Sequence, residues 1–268
     1  MRFVAPPRHA VPPAHFAHPA YRDLPCPSFL TSAAWPSCDT LNAALGAARH
    51  AFSDVPLQFV AQSCALLADG LHYETRIHDS GAIATRERNW HDLFNALVWL
   101  AQPRLKSALN AAYVQDGPGA RRTRRQCALT HFDEAGAVLL LRDPSLLVHW
   151  DRHDWPALLH TQRAAWAAGA RLVLAGHALL ELLLDESRVP TAKCVVCRTS
   201  LPTAEALARL AHRIASGTCL RDPTELRPLP LAGLPGWDDS RPRAFYVDSP
   251  WFRPLRPGRR YPPPLCLD

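Results

Sequence analysis

Apolar residues along this chain recur mostly with helical spacing, and less often with the alternation of a strand. Residues 38–52 (CDTLNAALGAARHAF) space as a helix with Asp39 or Thr40 as N-cap. Residues 55–66 are apolar and fit either a strand or a helix. From Leu71 the period changes. Leu71, Tyr73, Thr75 and Ile77 alternate with His72, Glu74, Arg76 and His78, which predicts a strand with one apolar face. Asp79-Ser80-Gly81 reads as a turn and 82–85 as the returning strand of a hairpin. Asn89 is placed to cap a helix over 90–101. Pro103 ends it, and 103–113 continues as a second helical piece. The spacing then predicts a loop over 116–125 and a second hairpin over 127–142, turning at Asp133-Glu134-Ala135-Gly136. Helices are predicted over 155–168 and 171–186, with Gly169 between them. VPTAKCVVC reads as extended, and PTAEALARLAHRIASG as a helix capped by Thr203 and stopped by Gly217. Hairpins and helices without regular βαβ alternation predict the α+β class. The expected fold is a mostly helical single domain with one or two β-hairpins and irregular Pro-rich ends.

Composition sharpens the two ends. The chain has 268 residues, enough to bury a sizeable core, and 26 of them are Pro. Those prolines crowd the termini. The expected division is an arm over 1–36, a globular unit over 37–222 and a Pro/Arg-rich segment over 223–268 packed on it. Phe16, Tyr21, Phe29 and Trp35 suit an arm that packs on the domain and does not float free. The formal charge is +6, almost all of it from Arg, because Lys106 and Lys193 are the only lysines. A coding bias towards Arg, Ala and Pro accounts for much of that, so the charge alone does not argue for nucleic acid. No apolar stretch reaches the ~18 residues of a membrane span, and the N-terminus has no apolar signal core. The reading is a soluble, cytoplasmic protein with reduced thiols and no membrane partner.

The chemistry concentrates in ERNWHDLFNALVWL, residues 87–100. At 100° per residue, with His91 at zero, Asn95 falls near ~40° and Asp92 near ~100°. Three short polar side chains thus share one arc of an otherwise apolar helix. A solvated stripe would use longer helix formers, whereas His, Asp and Asn bind metals, shuttle protons or fix substrates. The plainer alternative is that Asp92 caps locally while His91 and Asn95 satisfy buried backbone groups. In GHALLE, His177 and Glu181 lie one turn apart on a greasy helix, a spacing that can ligate one metal or pair acid with base. Gly176 before them would let another element pack closely. Glu74 and Arg76 lie near the start of the 90–101 helix if the hairpin forms. RRTRR, Arg121 to Arg125, could hold phosphate, although charge runs are usually just solvated, and Asp133 or Glu134 could point into a site. CVVC, Cys194 to Cys197, is half of a zinc signature without its second half, so it reads as incidental thiols. No phosphate-binding Gly loop, dinucleotide fingerprint, nucleophile elbow or H-E-x-x-H is present.

YETRI from Tyr73, GAIATR from Gly81, NWHDLFNALVWL from Asn89, THFDEAG from Thr130, GHALLE from Gly176 and PLPLAGLPGW from Pro228 together resemble a bacterial family of uncharacterised proteins, a domain of unknown function. The resemblance spans roughly 35 to 255 and rests most on the N-W-H-D-x-F-N-A-L motif. Where that family reads Ile-Pro-Thr-Arg, this chain has Ile83-Ala84-Thr85-Arg86. The resemblance implies no activity.

The functional expectation therefore comes from the residues themselves. It is an enzyme, a metal-assisted hydrolase of an anionic or phosphoester substrate. His91, Asp92, Asn95 and Glu74 would be catalytic, with His91, Asp92, His177 and Glu181 around a divalent metal. Arg76, Arg86 and Arg124 would neutralise the substrate. The alternative is a non-enzymatic protein that binds nucleic acid or an acidic partner through the 121–125 loop and the tail arginines Arg253, Arg256, Arg259 and Arg260. A third possibility is a scaffold whose Pro-rich ends dock a partner.

Overall fold

A computed structural model describes residues 3–52, 55–117, 119 and 121–268. In chain order, the arm leads through short 3-10 turns into α1 (Cys38–Leu45), capped by Ser37, whose hydroxyl accepts from Thr40 N at 3.1 Å. The cap is thus two residues before the earliest position expected. β1 (Gln58–Ala61) follows, then α2 (Tyr73–Ser80) and β2 (Ala82–Thr85). β2 pairs parallel with β1, Phe59 opposite Ile83. The segment predicted as a hairpin is therefore the helix and second strand of a β–α–β crossover that starts at β1. The alternation at 71–78 misled because Tyr73, Arg76 and Ile77 also share a face at helical spacing, and Arg76 and Ile77 are buried. His72 Nδ1 accepts from Glu74 N at 3.3 Å, and Gly81, at φ 70°, ends the helix. A Cβ at Gly81 would overlap the carbonyl of Pro56, so only glycine fits there.

α3 (Trp90–Ala101) starts at the predicted cap, with Asn89 Oδ1 accepting from Asp92 N at 3.1 Å. Pro103 opens α4 (Pro103–Gln115). The loop predicted over 116–125 includes Pro118 and Ala120, which lie outside the described residues. Its end is the start of a helix, α5 (Arg124–Ala135), closed by a capping box between Thr123 and Gln126. The second predicted hairpin is thus a helix running into β3 (Gly136–Leu141). Thr123-x-x-Gln126 carried that signal in the sequence, and Ala128, Leu129 and Phe132 supply the buried face.

Beyond β3, a π turn at Pro156–Thr161 and α6 (Arg163–Gly169) occupy the first predicted helix. The second, 171–186, splits into β4 (Ala170–Leu174) and α7 (His177–Leu182). β5 (Thr191–Arg198) is the predicted extended segment, and α8 (Thr203–Ala215) follows Pro202 without a side-chain cap. β6 (Arg227–Pro230) and β7 (Leu265–Cys266) come from the Pro-rich tail and join the sheet, whose order is β4-β3-β5-β6 with β7 also on β5.

β3 explains why the sheet sits at the centre. Its six residues, GAVLLL, are buried throughout, as expected of a strand covered on both faces. Ala137, Leu139 and Leu141 pack with α3, α7 and the arm. Val138 and Leu140 pack with α4, α5 and α8. The arm belongs to the first layer. Tyr21 stacks on Phe94 with centroids 5.8 Å apart and donates to Leu180 O at 3.3 Å, and Trp90 Nε1 donates to Pro6 O at 2.9 Å. The α+β class holds, without the hairpins. No described helix is long and apolar enough to cross a membrane.

Candidate metal centre

Five helices converge on a cavity of about 290 Å³. Its wall includes Tyr73 and Glu74 from α2, His91 and Asn95 from α3, Lys106 and Asn110 from α4, Asp133 and Glu134 from α5, and His177 from α7. Two close approaches bring this about. Ala175 and Gly176 both donate backbone N–H to Gly136 O, at 3.0 and 2.8 Å. A Cβ on Gly176 would overlap the backbone of Ala135 and Gly136. Glycine at 176 therefore lets the first turn of α7 rest on the last turn of α5, which seats His177 beside Asp133 and Glu134.

The two histidines meet through their outer nitrogens. His91 Nε2 lies 3.1 Å from His177 Nε2. Glu134 Oε2 lies 3.6 Å from His177 Nε2. One ligand atom from each of His91, Glu134 and His177 falls within 4.8 Å of the other two. Two donors bound to one zinc-type ion at ~2.0–2.1 Å in tetrahedral geometry lie about 3.3 Å apart. The imidazole pair is already near that separation.

The inner nitrogens face carboxylates. His91 Nδ1 is 3.0 Å from Glu181 Oε2. A carboxylate only accepts, so the proton sits on Nδ1 and Nε2 carries a lone pair that can accept. Glu181 also raises the His91 pKa. His177 Nδ1 has no hydrogen-bond partner and lies 3.6 Å from Asp133 Oδ2. Burial pushes the His177 pKa down to about 3, so the ring is neutral. In this arrangement His177 Nε2–H donates to His91. Moving that proton to Nδ1, towards Asp133, would free both Nε2 lone pairs at once. Burial alone would raise the Asp133 pKa, but the Lys106 ammonium beside it holds it below the usual carboxylate range. Glu134, by contrast, is raised by burial.

The predicted residues divide. His91, His177, Asn95 and Glu74 share the cavity wall. Glu181 stands behind His91 as its orienting partner and does not face the His177 ring nitrogen. Asp92 also borders the cavity, but Arg86 engages both of its oxygens, through Nε at 3.0 Å, a terminal nitrogen at 2.8 Å and the backbone N–H at 2.5 Å. It secures the β2–α3 turn. Glu74 is held by Asn110 Nδ2 at 2.7 Å, and burial raises its pKa. Arg86 borders the cavity. Arg76 does not, because it is buried and clamped by Asp69 at 2.5 and 2.6 Å. Arg124 is also elsewhere, exposed and paired with Asp222. Arg125 is held by Asp116 at 3.1 Å, so half of the arginine run is internally neutralised.

Sequence reasoning did not single out Lys106 or Tyr73, and left Asp133 and Glu134 in a turn. Recognising the Thr123–Gln126 capping box would have put both acids on one helical turn. CVVC is not a metal site. Residues three apart on a strand point to opposite faces, and Cys194 and Cys197 sit in the two separate core layers.

No curated protein and no solved structure matches this chain. The resemblance noted from its motifs is borne out at the level of family: residues 57–256 match the model described as "Protein of unknown function (DUF3025)", and the chain belongs to that family.

Proposed function

We propose that this protein is a metal-dependent hydrolase acting on a small anionic or phosphoester substrate in the five-helix cavity. The observation that carries the reading is the pair of Nε2 atoms 3.1 Å apart, with Glu134 beside them. Two histidines and one carboxylate are the protein ligands of hydrolytic zinc centres that keep a position open. A divalent ion held there would lower the pKa of a bound water and polarise a substrate oxygen. Glu181 and Asp133 support the imidazoles from behind, as carboxylates commonly do for metal-bound histidines. Glu74, a half-buried carboxyl with a raised pKa, is a candidate for proton transfer to or from the substrate. Arg122 on the wall suits an anionic ligand, whereas Arg86 is already paired with Asp92. A cytoplasmic setting accords with eight free cysteines.

Elemental mass spectrometry on untagged protein tests it. The expected result is near one divalent ion per chain, lost in folded His91→Ala and His177→Ala variants, together with chelator-sensitive hydrolysis of an aryl phosphate panel. A metal-free wild type that takes up no added zinc, manganese or iron would overturn the reading.

A further inference from the structure

One hydrogen-bond chain on the cavity wall has its direction set by chemistry alone. Lys106 is buried, and its ammonium lies 3.0 Å from Asn95 Oδ1. An ammonium has only donors, so the Asn95 atom facing it must be the carbonyl oxygen. The Asn95 amide is thereby fixed the other way round towards Tyr73, with Nδ2 2.8 Å from the phenol oxygen. An amide NH2 only donates. The Tyr73 oxygen must accept, and its own proton is left over. Among the described residues that oxygen makes no further hydrogen bond. Tyr73 lines the same cavity as His91, Glu134 and His177. Burial also holds the phenol pKa well above its ordinary value, so the proton stays on. Lys106 itself is fully engaged. It also donates to Asp133, and its third proton faces the Trp99 ring, 5.4 Å from the centroid.

We propose that Tyr73 is the substrate-binding donor of this site: the Lys106–Asn95 pair commits its hydroxyl to giving a hydrogen bond into the cavity, where it holds an oxyanion of the substrate. Asn95 and Lys106 are then positioning residues. They contact no substrate and act by orienting the phenol. Arg122, on the same wall, supplies positive charge for an oxyanion. The inference rests on the metal-centre reading for where the substrate sits, but Tyr73 is not one of the three ligands.

Calorimetric titration of the full chain with inorganic phosphate, and with acetate in parallel, tests this in metal-loaded and metal-free protein. Metal content is measured separately on each sample. Tyr73→Phe should weaken oxyanion binding on the order of tenfold or more, the value of a hydrogen bond to a charged group, with metal content unchanged. Asn95→Asp should give the same loss although the phenol remains. The new carboxylate accepts from both neighbours, so the Tyr73 proton turns inward. The Tyr73→Phe variant, which adds no charge, separates this effect from simple repulsion by the new carboxylate. Tyr73→Phe that folds and binds as wild type overturns the proposal, as does a wild type that binds neither anion. If the wild type holds no metal, the metal-centre reading fails by itself, and titration of the metal-free protein still decides Tyr73.

Discussion

At the scale of single residues, the carboxylates behind the histidines can be separated from the proposed ligands in front. Glu181 touches His91 only through Nδ1. Glu181→Gln should keep the metal and weaken its affinity about 10–100-fold, the usual cost of an outer partner, measured by competition with a chromophoric chelator. Glu134→Ala should lose the metal outright. Lys106 reports stability. It is buried and bridges Asn95 and Asp133. Lys106→Met strands a half-buried carboxylate, which costs roughly 3–5 kcal/mol when one partner of a buried pair is removed. Urea unfolding should show that loss as a lower midpoint with an unchanged slope. A loss within 1 kcal/mol would mean that solvent reaches Asp133 freely.

At the scale of elements, the seat of α7 on the α5–β3 junction carries the prediction. Gly176→Ala changes none of the proposed ligand residues but inserts a methyl into the backbone of Ala135 and Gly136. Relieving that overlap means moving α7 outward, and overpacking of this kind costs about 1–3 kcal/mol. The variant should melt at a lower temperature and bind metal poorly, read by calorimetry and elemental analysis. Full metal content would show that the seat does not set the site. β5 makes a second, independent prediction. Its two cysteines are buried in opposite layers, and burial pushes both thiols up. Native protein should therefore show no maleimide labelling at Cys194 or Cys197, while exposed Cys266, lowered by Arg198, labels first. Mass spectrometry after brief alkylation reads this directly.

At the scale of the whole molecule, the Pro-rich arm belongs to the core layer that carries the site. Its Tyr21 hydroxyl bonds the α7 backbone, its ring stacks on Phe94, and Arg8 lies over the Trp35 and Trp90 rings at 4.5 and 5.0 Å. Removing residues 1–36 should expose Trp90 and Phe94, lower the unfolding midpoint and reduce metal affinity together. A scaffold role for the arm predicts the opposite, a stable and metal-replete remainder that has lost only a partner. The internally paired Arg124 and Arg125 likewise argue for weak, shallow salt dependence in any nucleic-acid binding assay.

What the chain determined by local sequence was whatever depends on near neighbours. Asn89 as cap and Pro103 as the next helix start delimit α3 without help from elsewhere. The i, i+4 spacing alone put His177 and Glu181 on one face. The arc of His91 and Asn95 followed from 100° per residue. Helix or strand at 73–80 was not decidable from period, because Tyr73 and Ile77 satisfy both, and burial of Arg76 against Asp69 was invisible. The site itself was a tertiary decision. His91 and His177 are 86 positions apart, and Lys106 reaches Asp133 across 27. Their meeting depends on how helices pack around one buried sheet and on a glycine that permits close approach. Local propensity encodes neither distance, so the sequence supplied the imidazoles, while only packing chose Glu134, Asp133 and Tyr73 as their company.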